Sequence, residues 1–168
     1  MLTQGHKGAV SQMITHDTIE ISAVLEASAA DVFSAWEEPK ARMVWGVPSD
    51  DEAIEFLEND FRVGGLDIHQ CGQKGDLRFR VETRYHDIRA PDCLLFTELV
   101  STSDMLLSVS LIAVVMEEQG GATELRVTIQ VTSMVGADMI EATRGGWQAS
   151  LAQLAGYLES SKRENSEA

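Results

Sequence analysis

The side chains able to do chemistry in this sequence are few. A carboxylate on an otherwise apolar face is the usual mark of a general acid or base, because burial moves its pKa toward neutrality. Glu98 interrupts the apolar run 93–100, and Glu58 and Asp60 qualify if their strand turns them inward. Glu82 lies among Arg78, Arg80 and Arg84 and reads as cross-strand charge pairing on a polar face. The sequence locates no partner for any of them. His69 and Cys71, two apart on a strand, share a face. Two ligands are too few for zinc and no third is near, so both read as ordinary strand residues. His86 falls among charges on a solvent-facing side, and His6 and His16 are in or near the N-terminal extension. There is no G-x-S-x-G elbow, phosphate loop, dinucleotide fingerprint or H-E-x-x-H motif. No catalytic residue, metal ligand or cofactor site is therefore assigned.

Composition narrows the partners. The 168 residues include 13 basic and 27 acidic side chains, a net charge of -14. That field repels phosphate backbones and anionic lipid, so neither nucleic acid nor membrane is expected as a partner. No apolar run reaches transmembrane length, and the first residues lack an apolar signal core. Cys71 and Cys93 form no disulfide framework, which fits a reducing compartment. The expectation is a cytoplasmic protein.

These residues must be positioned by a sheet and one long helix. Residues 18–27 alternate apolar and polar as a half-buried strand does. Ser28 caps a short helix carrying Val32, Phe33 and Trp36, and Pro39 opens a second that ends near Met43. A loop with Trp45 at its entrance follows. Further strands are read at 53–62, 66–71, 76–88, 93–100, 105–117 and 123–132, most joined by links of hairpin length, hence antiparallel. In the last segment, 136–161, Ile140, Trp147, Leu151, Leu154 and Leu158 form one helical face. The fold class is α+β: a curved antiparallel sheet of six or seven strands wrapped around a long C-terminal helix, with two short helices after the first strand. Residues 1–16 read as a flexible extension, 17–162 as one domain and 163–168 as a frayed tail. Gly64 and Gly65 permit a bulge that bends the sheet. Gly145 and Gly146 weaken the helix by about 1 kcal/mol each, which predicts close approach of the sheet there or a kink over a ligand space, the first being preferred.

Five short motifs in order carry a resemblance: Ala29-Ala-Asp-Val32-Phe33-Ser-Ala35; Trp45-Gly46-Val47-Pro48; Asp60-Phe61-Arg62-Val63-Gly64-Gly65; Pro91-Asp-Cys-Leu94-Leu95-Phe96-Thr97; and Gly146-Trp147 followed by Leu151, Leu154, Tyr157 and Leu158. Over 18–160 the chain resembles the START-like (SRPBCC) superfamily, in particular relatives of the C-terminal domain of the activator of the heat-shock protein 90 ATPase. That family commonly has two tryptophans before the first motif glycine; here Val44 precedes Trp45. The resemblance implies a helix-grip fold with a cavity between sheet and helix, open to a small apolar or aromatic ligand. Bulky residues expected to line it are Phe79, Val81, Tyr85, Phe96, Val109 and Leu111 on strands, Trp45 on the loop, and Met139 and Trp147 on the helix. Superfamily members also include chaperone regulators and polyketide aromatases and cyclases. A chaperone-linked interaction module and a cyclase-, aromatase- or hydrolase-like enzyme therefore stand as alternatives, and members often form homodimers.

Overall fold

The computed structural model describes residues 13–167, and the remarks below concern those residues. Strand β1 (Thr15–Leu25) leads through Ser28 into helix α1 (Ala29–Glu37), and Pro39 starts helix α2 (Pro39–Trp45). Strands β2 (Glu52–Glu58), β3 (Leu66–Gln73), β4 (Asp76–Arg89), β5 (Cys93–Ser101), β6 (Leu106–Gln119) and β7 (Ala122–Ser133) follow, and helix α3 (Ala137–Glu167) closes the chain. All pairings are antiparallel, in the order β1-β7-β6-β5-β4-β3-β2. The predicted α+β class and element order are those of the structure. No helix is long and apolar enough to cross a membrane.

Local chemistry accounts for the boundaries. The Ser28 hydroxyl accepts from the Asp31 amide at 3.1 Å, satisfying one of the free donors at the start of α1. Gly120 and Gly121 turn β6 into β7 with both φ angles positive (62° and 82°), as a two-residue hairpin loop of matching twist requires. Strand β2 is shorter than the predicted 53–62. Its pairing shifts between Phe56 and Glu58, and Asn59 and the Asp60 amide then bond to Asp67 instead of continuing the ladder. Helix α3 runs through the predicted frayed tail to Glu167, where Ser161 and Ser166 bond back to the carbonyls of Tyr157 and Lys162. The extension read at 1–16 falls mostly outside the described residues; Thr15 and His16 already belong to β1.

One face of the sheet curls around α3. Ile19 and Leu25 of β1, Leu94 and Phe96 of β5, Ile112, Val114 and Met116 of β6, and Leu125 to Val131 at alternate positions of β7 bury there against Ile140, Leu151, Leu154 and Leu158 of the helix. Burial of each such side chain stabilises by about 1.5–3 kcal/mol. Helix α3 lies closest to β1 and β7, α1 covers part of β6 and β7, and α2 sits against β2 and α3. Gly145 and Gly146 do not mark a close approach. A Cβ on either would meet nothing within 4 Å, and the helix continues through both.

Candidate functional site

The concave face divides into two ends. Toward the β6–β7 turn it is sealed and anchored by a buried polar cluster. Asp67 of β3, fully buried, accepts from Arg42 Nη1 at 2.8 Å and from the Tyr85 hydroxyl at 2.5 Å through Oδ2. Its Oδ1 accepts from Asn59 Nδ2 at 2.9 Å and from the Asp60 amide at 2.7 Å. Arg42 Nη1 also donates to the Tyr85 oxygen at 3.2 Å, and its guanidinium lies 4.6 Å from the centre of the Phe56 ring. The arrangement ties α2 to β2, β3 and β4. Burial, with Asp67 adding to it and Arg42 opposing it, raises the Tyr85 pKa far above that of a free phenol. Tyr85 therefore stays protonated and donates. Arg42 Nε, Arg42 Nη2 and His69 Nδ1 are buried without a protein partner.

Toward the start of α3 the same face stays open. His69, Cys71, Phe79, Glu98 and Val100 occupy the inward positions of β3, β4 and β5, continuing the rows of Asp67, Tyr85 and Phe96, yet all five are only half-buried. Glu98 stands between two neutral, buried neighbours, Thr83 on β4 and Ser110 on β6. Burial alone pushes its carboxyl up to about 7, with no hydrogen bond or neighbouring charge to offset it. His69 is held down at about 4, by burial first and then by the Arg42 charge, against the pull of Asp67. Burial, reinforced by Glu98 and Glu52, pushes the Cys71 thiol up to about 12. At neutral pH, then, this end holds a neutral imidazole, an unreactive thiol and one carboxyl near its titration point.

The helix is fixed on both flanks. Arg144 bonds to Asp17 on β1 at 3.3 Å, and the Ser150 hydroxyl donates to the Gly46 carbonyl at the end of α2 at 3.0 Å. With 100° per residue, half-buried Met139 and Thr143 fall on the Ser150 flank, toward α2 and the open strands. Trp147 stacks on Trp36 with centroids 6.2 Å apart, and Trp36 in turn lies 4.8 Å from Trp45. Trp147 keeps part of its surface exposed.

Among the residues expected to line a cavity, Phe79, Met139 and Trp147 are half-buried on or beside the inner face. Val81 is inward but closed over. Tyr85 and Phe96 lie in the sealed core, and the Tyr85 hydroxyl is taken by Asp67. Trp45 is no loop residue: it ends α2, buried, with Nε1 donating to the Ala35 carbonyl at 2.9 Å. Val109 and Leu111 face the other way. They stand on the outer side of the sheet, 36% and 38% exposed, because Ser108 and Ser110 take the inward positions of β6. There they border a shallow depression of about 620 Å³ shared with His16, Thr18, Thr97 and Gln130. The apolar run on β6 hid which parity points inward. Glu58 is exposed and Asp60 pairs with Arg62, so neither enters the site. Glu82 pairs with Arg80 along its own strand rather than across strands. Sequence reasoning missed Arg42, Asp67 and Asn59; Asp67 among the apolar residues of a short strand was the one available signal. Both cysteines are free, and no group of three metal-binding side chains converges among the described residues.

A curved sheet gripping a C-terminal helix, with two short helices bridging its ends, is the helix-grip architecture of START-like proteins. The chain belongs to the family described as Activator of Hsp90 ATPase homolog 1-like protein, whose match spans residues 26–159. It is similar in structure to an uncharacterised protein from Rhizobium leguminosarum (26% identity, TM-score 0.77, covering 88% of this chain and 97% of that one). It is also similar to a protein from Rhizobium loti (27% identity, TM-score 0.76, covering 86% and 99%). A protein of the dynemicin biosynthetic locus shares the fold at 16% identity (TM-score 0.64, 86% of this chain and 48% of that one). No curated protein matches the chain.

Proposed function

We propose that this protein binds a small apolar or aromatic molecule at the open end of the concave face, between β3–β5 and the Met139–Trp147 stretch of α3. The observation that carries this reading is the contrast within one face: inward side chains are sealed at Tyr85 and Phe96 but half-exposed at His69, Phe79, Glu98 and Val100. A concave, largely apolar surface with a few polar groups is what small-molecule sites share. The outer depression is a weaker candidate, because it is shallow and open and would leave much of a ligand in water. A panel of small aromatic compounds tests the reading. A ligand at about 100 times its Kd should raise the unfolding free energy by about 2.7 kcal/mol and change tryptophan emission. The absence of any thermal shift across the panel would remove the reading.

The outer face supports a second reading, a protein-interaction module or homodimer. Val109 and Leu111 are exposed there, with half-buried Leu95 and Leu99 on the adjoining strand. Sedimentation of the protein alone and with a purified heat-shock ATPase chaperone checks it. A monomer that ignores the chaperone counts against it.

A further inference from the structure

We infer that the open end of the concave face selects amphipathic cations, molecules with an aromatic or alicyclic body and one protonated amine, and that Glu98 receives the amine. The inference rests on the ligand-binding reading above. Glu98 carries charge at this end without a counter-charge among the described residues. Its strand neighbours Thr83 and Ser110 are neutral. On β3, Asp67 lies in its row two strands away, and Cys71, which burial keeps a thiol, feels its charge. From α2 comes Arg42, whose charge is already engaged by Asp67. The Met139 and Thr143 flank of α3 adds no charge, and Glu52 at the start of β2 adds only a further negative one.

An ionised carboxylate removed from water costs several kcal/mol unless it is paired and hydrogen-bonded. Among the described residues no side chain supplies such a partner, and burial alone holds the group near its titration point. A ligand ammonium would supply both the countercharge and the donors. A ligand carboxylate would meet like charge at Glu98. The net charge of -14 acts in the same direction, concentrating cations around the whole molecule.

The test uses three probes of one shape, naphthylmethylamine, naphthylmethanol and naphthoate, titrated near pH 8 into the full-length protein and its Glu98→Gln variant. Tryptophan emission and calorimetry report binding, and the melting temperature of the unbound variant reports its fold. The amine should bind at least about tenfold more tightly than the alcohol, as a charge-assisted hydrogen bond provides, with the naphthoate weakest. In Glu98→Gln the amine should lose that advantage while the alcohol binds as before. Equal binding of amine and alcohol, or an amine preference that survives in Glu98→Gln, overturns this inference and leaves the ligand-binding reading standing. Failure of all three probes to bind overturns both.

Discussion

The two ends of the concave face are built from the same strands and differ in what finishes them. At the sealed end, α1 and α2 close over Tyr85, Phe96 and Ile112, and every lone pair of the buried Asp67 carboxylate has a donor or lies beside one. At the open end, α3 leans toward β1 and β7, and the half-buried Glu98 has no donor among the described residues. A satisfied buried carboxylate locks elements together, whereas a carboxylate without a donor on a part-open surface ties nothing to its neighbours. The difference sets a sealed, cross-linked end against an end whose inward side chains stay partly exposed.

The largest expected effect tests the framework. Asp67→Ala removes the acceptor of four hydrogen bonds and leaves Arg42 charged and buried, so it should cost about 3–5 kcal/mol in urea unfolding. Ile112→Ala at the same end should cost about 2–5 kcal/mol, and Val100→Ala at the open end less than about 1 kcal/mol. Equal losses at the two ends would erase the distinction between them.

Next in size is a pH effect confined to the open end. The Glu98 pKa is raised on folding from 4.5 to about 7, so the native state holds a proton that the unfolded chain has lost. Stability from this group falls as pH rises from about 4.5 to 7. The His69 pKa is lowered on folding from 6.5 to about 4, so the unfolded chain takes a proton that the native state refuses. Stability from this group rises as pH climbs from about 4 to 6.5. Each effect amounts to at most about 3.4 kcal/mol, and the two oppose each other over nearly one window. Urea midpoints of the unmodified protein should therefore change little between these pH values. Glu98→Gln should unmask a rise and His69→Leu a fall. A flat profile in both variants would mean that neither group is desolvated as the structure has it.

The smallest effect concerns the helix that roofs the open end. Gly145→Ala should add up to about 1 kcal/mol, because the added methyl meets no neighbour and the helix gains propensity. A loss of stability instead would mean that the helix is not regular through Gly145.

Element order and antiparallel pairing were legible in the sequence because alternation in β1, β4 and β7 and the 3.6-residue face of α3 are local signals. Parity on β6 was not. Leu111 to Met116 is apolar on both faces, and the inward ends of that strand are serines, so hydrophobicity pointed the wrong way at Val109 and Leu111. Trp45 was read as a loop residue because α2 is only seven residues long and its last turn is held by a tertiary contact, the Nε1 bond to Ala35. The Arg42–Asp67–Tyr85 cluster joins residues 25, 43 and 18 positions apart, and no local pattern announces such a meeting. Glu98 was visible as an interruption of its strand. Its isolation became visible only once both neighbouring strands were in register beside it.

The pairing of β1 with β7 has a consequence for how the chain is made. Every other strand pairs with its neighbour in sequence, so those hairpins can form as they emerge, but β1 must wait for a partner roughly a hundred residues downstream. Closing a loop of that length costs on the order of 4 kcal/mol in chain entropy before any contact repays it. During synthesis the apolar side of β1, with Ile19, Ile21 and Leu25, thus leaves the ribosome before the other strands and is the last to be covered by the sheet. Folding of this protein should be limited by a late, long-range docking of its first strand, and slowed or arrested chains should be most adhesive there.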